Sequence, residues 1–416
     1  MRLFGGFAEF FTALRYRDFR LFWFGLVAQV TGQQMTIVTL GWLAYDLTQS
    51  ALALGLINLV SAAPRLVVNL AGGVLADRFD PRTLVVAAQT TAVAVLMALA
   101  VLAITDQAVV WHLAAAAVMI GLVQSFDEPA RASFFPRLLP NRSLIPIAVP
   151  LTSVAWSSTR IVAPSVAGFV IAAAGAGPSF FVAAAGAAAM AAVMRMVHPQ
   201  QAAVGRHGTM LGDLKAGASY VWSHPVFRPL LLLALACSAF GQGYMLTFPV
   251  FQVEVYDVSP RELGFMYSSA GVGAMVGLFV YSRYLRQRGA GRVLLGSAGL
   301  FGAMLVAFAL TPWFEAALVL LFLAGAVGVM QITTGQVILQ TLVEDSLRGR
   351  VMALYGVHWA LLPVGGAMMN SIAERTGAPS AVAGAGVALV AVALAIALLG
   401  AALRNVALPQ AEPART

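Results

Sequence analysis

Charge is scarce in this chain. Of 416 residues only 10% are Asp, Glu, Lys or Arg, 60% are hydrophobic, and the mean hydropathy is +0.85. That balance lies outside the range of water-soluble globular proteins. Cysteine is nearly absent too: Cys237 is alone, which excludes an internal disulfide. Its place in an apolar run suits a small packed side chain. No glycine-rich loop ends in the lysine that a nucleotide-driven pump needs. No His/Cys cluster has metal-ligand spacing, and no nucleophile–base pattern stands out. The sequence therefore implies no cofactor, no metal and no enzymatic activity. A channel is disfavoured by the lack of a ring of like charge or a re-entrant filter pattern. A membrane barrel is disfavoured because polarity does not alternate along the apolar runs.

What the chain does have is length in its apolar runs. About twelve of them reach the roughly 20 residues that a helix needs to cross hydrocarbon. They fall near 21–45, 50–76, 83–105, 109–135, 143–173, 178–197, 226–253, 262–284, 291–311, 314–342, 348–373 and 378–403. Met1 to Phe19 carries Arg and Asp and has no small-residue cleavage site after an apolar core. It reads as an interfacial lead-in, not a signal peptide.

The net charge of +8 invites a nucleic-acid reading, but its distribution argues against one. With the amino terminus placed in the cytoplasm, about 21 of the 25 Lys and Arg fall on the inner side. Asp46, Asp106, Glu254, Asp257, Glu262, Glu315 and Glu374 collect on the other. That is a strong positive-inside bias, with both termini cytoplasmic and no nucleic-acid partner.

Six runs precede the polar stretch His198–Ser223 and six follow it. Leu211, Leu214, Ala218, Val221 and Trp222 recur there at helical spacing, as on an amphipathic helix lying along the membrane surface. The expected organisation is a bundle over 1–197, a cytoplasmic linker over 198–225, a second bundle over 226–404 and a disordered tail over 405–416. RLLPNRSL before the fifth run and TLVEDSLRGR before the eleventh make a weak internal echo. Two related six-helix halves around a central site describe one large class of secondary transporter.

The most telling segment is GGVLADRFDPR, Gly72 to Arg82, a charged hinge between two apolar runs. Charge this close to hydrocarbon must be paired or held at the interface. Small residues such as Gly73 let helices approach closely. This loop resembles the one between the second and third helices of the major facilitator superfamily. WLAYDLTQSALALG, FDEPARASFFPRLLP, TRIVAPSVAGFVIAAAG and RGRVMALYG are similar to its bacterial efflux branch, which includes enterobactin exporters and macrolide efflux proteins. The resemblance implies an all-α membrane protein with twelve transmembrane helices in two pseudo-symmetric six-helix bundles, in a bacterial inner membrane.

It further implies that Asp77 pairs with the start of the eleventh helix and nearby arginines when the cytoplasmic side is closed, with Arg78, Arg82, Arg131 and Arg348 as partners. A carboxylate at a helix amino terminus gains from the dipole, which agrees. Such a cluster is a latch in an alternating-access cycle; its rival is a solvated turn that only enforces topology.

Asp127 and Glu128 lie within the fourth run. Neighbours on a helix diverge by about 100°, so the two cannot face one partner. Either acid is a candidate proton carrier. A structural ion pair between Asp127 and Arg131 is the competing reading. Arg65 and Arg160, near the middle of the second and fifth runs, suit capture of an anionic substrate group or an interhelical ion pair. The segment from Ala163 to Gly168 looks like the antiporter motif of exporters, with Ala163 where that motif favours glycine. Pro164 breaks the backbone ladder and Gly168 permits close packing.

On helices that line the cavity of this fold stand Gln33, Gln34, Asn58, Gln124, Trp156, Gln242, Tyr244, Gln331, Gln336, Tyr355, His358 and Trp359. Each can also simply bond a neighbouring helix. The expected activity is export of an amphipathic, anionic or aromatic small molecule by a monomeric proton antiporter in the bilayer. The alternatives are a lysophospholipid-type carrier and a non-transporting sensor on the same fold.

Overall fold

A computed structural model of the chain describes residues 12–71, 80–141, 144–198 and 218–406; at 65–71, 146, 282–288, 345, 346 and 353 the backbone alone is described. Among the described residues twelve long helical segments follow one another. In the first half they are α1 (Arg17–Thr48), α2 (Ala51–Ala71), α3 (Pro81–Ile104), α4 (Val110–Phe134), α5 (Ile145–Ala174) and α6 (Ala176–Met196). In the second half they are α7 (Phe227–Val255), α8 (Pro260–Arg288), α9 (Ala290–Leu310), α10 (Phe314–Leu342), α11 (Asp345–Thr376) and α12 (Ala378–Leu399).

Ten of the described helices are long and apolar enough to cross a membrane. The other two differ for visible reasons. In α1 the amides of Gln29, Gln33 and Gln34 dilute an otherwise apolar helix, and the described apolar stretch of α2, Ala51–Pro64, is short.

Contacts divide the chain into two units. One contains the described parts of Met1–His207 together with Gln252–Ser268; the other contains those of Gly208–Phe251 and Ser269–Thr416. In the first unit α3 packs on α6 and α4, and α1 packs on α5 and α6. In the second, α9 packs on α12 and α10. The third-with-sixth and third-with-fourth pairings thus recur six helices later. The joints recur as well. Gly175 links α5 to α6 at φ 83°, and Gly377 links α11 to α12 at φ 84°. A side chain there would clash with its own backbone, so glycine makes these one-residue reversals possible.

Local chemistry sets the other starts and stops. Asp80 caps α3, its carboxylate accepting from the Thr83 amide at 3.2 Å, and Pro81 follows at the first helical position. Small residues close the helix pairs. A Cβ added to Gly32 would lie 2.6 Å from the Ala183 carbonyl oxygen of α6, and one added to Gly302 would lie 2.6 Å from that of Gly386 in α12. In lipid, where apolar burial does not drive helices together, such close approach is the main source of attraction.

The amphipathic segment expected over 211–222 lies mostly outside the described residues. Of it, 218–222 is helical and begins a short turn that ends at Ser223.

Candidate functional site: a buried polar node and two unwound helices

The 100° between neighbours separates the two acids of α4. Asp127 is 1% exposed, while Glu128 is exposed. Asp127 is the centre of a node in the first unit. Arg131, one turn on and on the same face, pairs with it through Nη2 at 3.0 Å and through Nε at 3.1 Å. Gln29 of α1 donates to Oδ2 at 2.8 Å, and Gln89 of α3 donates to Oδ1 at 2.9 Å. Every group around Asp127 is a donor, the set an ionised carboxylate accepts. The Arg131 guanidinium also lies 6.0 Å from the Trp156 ring of α5. Four helices therefore converge on one buried charge pair.

This arrangement answers one sequence question geometrically: the carboxylate of Asp127 is engaged by Arg131 and two amides. Gln29 and Gln89 were not singled out in the sequence. Their signal was available, since both are amides inside apolar helices, where an unpaired amide is costly.

The remaining first-half candidates are dispersed. Asp77, Gly73 and Arg78 lie outside the described residues, and Arg65 sits on the α2 backbone with its side chain outside the description. Arg82 turns to α6: its Nε donates to the Met194 carbonyl at 2.7 Å and its Nη2 to that of Arg195. It thus satisfies carbonyls that the helix end leaves unpaired. Arg160 is exposed on α5, and Gln33, Asn58, Gln124 and Trp156 are half-buried.

Pro164 and Gly168 form a close seam with the start of α8 inside the first unit. A Cβ on Gly168 would lie 2.5 Å from the Pro260 carbonyl oxygen, and one on Gly264 would lie 2.6 Å from that of Pro164. Ser165 and Ser268 share a hydrogen bond of 2.7 Å along the seam. The Arg261 guanidinium lies 4.7 Å from the Phe169 ring and 5.4 Å from the Phe265 ring. Nearby in the same unit, the buried Tyr45 hydroxyl donates to Glu254 at 2.5 Å. Both contacts join residues far apart in sequence, so no local pattern announced them.

In the second unit two helices that pack together each lose regular α form along part of their length. α7 passes through a π-type turn at Cys237–Gly241 and a 3₁₀ stretch at Gln242–Thr247. α11 has a 3₁₀ turn at Val357–Ala360. They touch through Gly243 and Gly366: a Cβ on the former would lie 2.6 Å from the latter's nitrogen. Interruptions of this kind concentrate at functional sites and in transporter cores. The unwound parts carry Gln242, Tyr244, His358 and Trp359, with Tyr355 alongside.

His358 is 3% exposed, and its Nδ1 lies 2.5 Å from the Tyr355 carbonyl oxygen. A carbonyl only accepts, so Nδ1 carries the proton and a neutral ring presents Nε2 as an acceptor. That atom is buried without a protein partner among the described residues. The rings of Tyr355, His358 and Trp359 follow one another at centroid distances of 4.6 and 4.8 Å. Gln242 and Tyr355 are buried, Gln336 is half-buried, and the Arg348 Nη2 donates to the Val343 carbonyl at 3.3 Å.

Helices of membrane-spanning length, repeated pairings and a polar, unwound centre define a multi-pass membrane transporter. Residues 8–414 match the family described as transmembrane secretion effectors, and the chain belongs to that major facilitator family. It is 23% identical to the staphyloferrin A transporter of Staphylococcus aureus, over 82% of this chain and 85% of that protein. It is 24% identical to the multidrug efflux pump Tap of Mycolicibacterium fortuitum, over 85% and 88% of the two chains. The enterobactin exporter EntS of Shigella boydii is 23% identical, over 82% and 85%. Among solved structures, the nucleoside transporter NupG superposes with a TM-score of 0.72 at 13% identity, covering 94% of this chain and 99% of that one. A bacterial homologue of the lysosomal transporter Spinster gives 0.69 at 14% identity, over 94% and 96%. At such identities the structural likeness concerns the fold.

Proposed function

We propose that this protein exports an amphipathic small molecule, siderophore-like or drug-like, across the bacterial inner membrane by alternating access in exchange for protons. Membership of the secretion-effector family, with siderophore and drug transporters among its relatives, is the observation that carries this reading. Both termini are cytoplasmic, as the basic loops direct.

The geometry supports a division of labour. The Asp127–Arg131–Gln29–Gln89 node anchors the first unit. Glu128, exposed on the other face of α4, is the acid that exchanges protons. In the second unit His358 Nε2 accepts from a hydroxyl or N–H of the substrate beside the Tyr355 and Trp359 rings. That combination suits phenolic or catecholic groups. Arg160 and Arg65 supply positive charge for an anionic substrate.

The test is substrate-dependent proton movement in proteoliposomes under an imposed pH gradient, with catecholate siderophores, macrolides and lysophospholipids. The expected result is proton movement with a catecholate or a macrolide, lost in Glu128→Gln. Substrate movement without protons overturns the antiport assignment. Movement of lysophospholipid alone overturns the substrate class.

A further inference from the structure

The end of α3 that carries Arg82 forms, with the end of α6, a cavity of about 490 Å³, lined by Arg82, Thr83, Val86, Ala87, Thr90, Thr91 and Arg195. Its volume lies within the range of small-molecule sites. The α3 residues fall at i, i+4 and i+8 steps, so the lining is a straight stripe about 12 Å long. Its chemistry is graded. Both arginines sit at one end, where the Arg82 guanidinium meets the Arg195 carbonyl. Further along, the Thr90 hydroxyl donates to the Val86 carbonyl at 2.7 Å, and that of Thr91 to the Ala87 carbonyl at 3.0 Å. With those protons engaged, this part of the wall offers methyl groups and few donors.

The two arginines differ. Arg82 is fixed by its bonds to the Met194 and Arg195 carbonyls, whereas Arg195 is exposed, with no carboxylate partner among the described residues. The capping carboxylate of Asp80 is turned to the Thr83 amide. Beyond Thr90 the exposed face of α3 continues without polar interruption through Ala94, Met97, Val101 and Ile104. A basic pocket thus opens onto an apolar strip that runs along the helix.

We propose that this groove binds an anionic glycerophospholipid of the inner leaflet, its phosphate held by Arg195 and Arg82 and its chains lying along α3. Charge complementarity names the occupant: guanidinium forks match phosphate oxygens, and basic pockets at the cytoplasmic ends of membrane helices recruit acidic headgroups. The apolar continuation selects a lipid over a free anion. The leaflet rests on the orientation proposed above; the binding does not.

Native mass spectrometry of the detergent-purified protein, with phosphatidylglycerol or phosphatidylcholine added, tests the site independently of transport and orientation. The wild type is expected to retain phosphatidylglycerol preferentially. Arg195→Gln should lower that retention about fivefold, which corresponds to the loss of about 1 kcal/mol for one basic contact, and leave phosphatidylcholine unchanged. Ala87→Trp, which fills the groove while keeping both charges, should lower it as well. Equal retention of the two lipids by the wild type overturns the proposal, as does undiminished retention in Arg195→Gln. Displacement of the lipid by equimolar inorganic phosphate would assign the site to a free anion and overturn it too.

Discussion

Replacing Asp127 with leucine tests the idea that the first unit is held at a buried ion pair. The substitution leaves Arg131 charged at 6% exposure, removes the acceptors of Gln29 and Gln89, and supplies no counter-charge. Breaking a buried pair from one side costs about 3–5 kcal/mol, most of it the stranded partner's desolvation. The two orphaned amide bonds add about 0.6 kcal/mol each at the average measured between membrane helices. The whole loss is about 4–6 kcal/mol. At roughly 2–4 °C per kcal/mol the unfolding midpoint in detergent should fall by on the order of 10 °C or more. Removing both charges should cost far less, because an apolar pair of similar volume in place of a buried ion pair is often neutral. Asp127→Leu with Arg131→Leu should therefore recover most of the midpoint lost in Asp127→Leu alone. Tryptophan fluorescence during thermal unfolding, followed for both single variants and the double, completes the cycle. An Asp127→Leu protein as stable as the wild type, or a double variant no better than its worse single, would refute the reasoning. Transport by a stable double variant would in addition place proton exchange away from Asp127.

The α5–α8 seam and the approach to α7 yield two more predictions. Gly168→Ala puts a methyl group 2.5 Å from a backbone oxygen that cannot step aside, so it should cost about 1–3 kcal/mol and slow transport. Gly384→Ala, where nothing lies within 4 Å, should be neutral in the same thermal and flux assays. His224 stacks on Phe227 at 3.9 Å, and its Nδ1 accepts from the Val226 amide at 3.2 Å. Burial lowers its pKa from the usual 6.5. The unfolded turn then takes up a proton before the folded one does. The contribution to local stability is complete above pH 6.5 and is lost as pH falls below it. The protection of the Val226 amide, taken as its exchange rate relative to that of the unfolded chain at the same pH, should accordingly fall between about pH 7 and pH 5, and that dependence should vanish in His224→Asn.

How much of this was legible in the residues differs from feature to feature. The spans were readable because hydrocarbon allows few solutions: a backbone without water must bond to itself. α6 and α12 show this, being apolar almost throughout. α1 was readable as a span but not as a polar one with a purpose, because the partner of Gln29 lies 98 residues away. The Asp127–Arg131 pair was visible at helical spacing, while nothing local tied the Gln29 and Gln89 amides to it.

The division into units shows the same limit. The polar stretch after His198 marks a midpoint in the chain, yet Gln252–Ser268 packs with the first unit. Glycines and serines at 165, 168, 264 and 268 meet there, and small residues carry no sequence label saying which other small residue they will touch.

The sequence by itself determined the solvent this protein folds in, its all-helical, multi-span character and the family it belongs to. Those properties depend on composition, run length and local motifs, which are quantities of neighbouring residues. Only the tertiary structure decided which carboxylate of the Asp127–Glu128 pair is buried, that Arg82 closes α6, and that the His358 Nε2 faces no protein partner among the described residues. Each of these depends on a side chain meeting a group from another turn or another helix, and helix packing alone sets that distance.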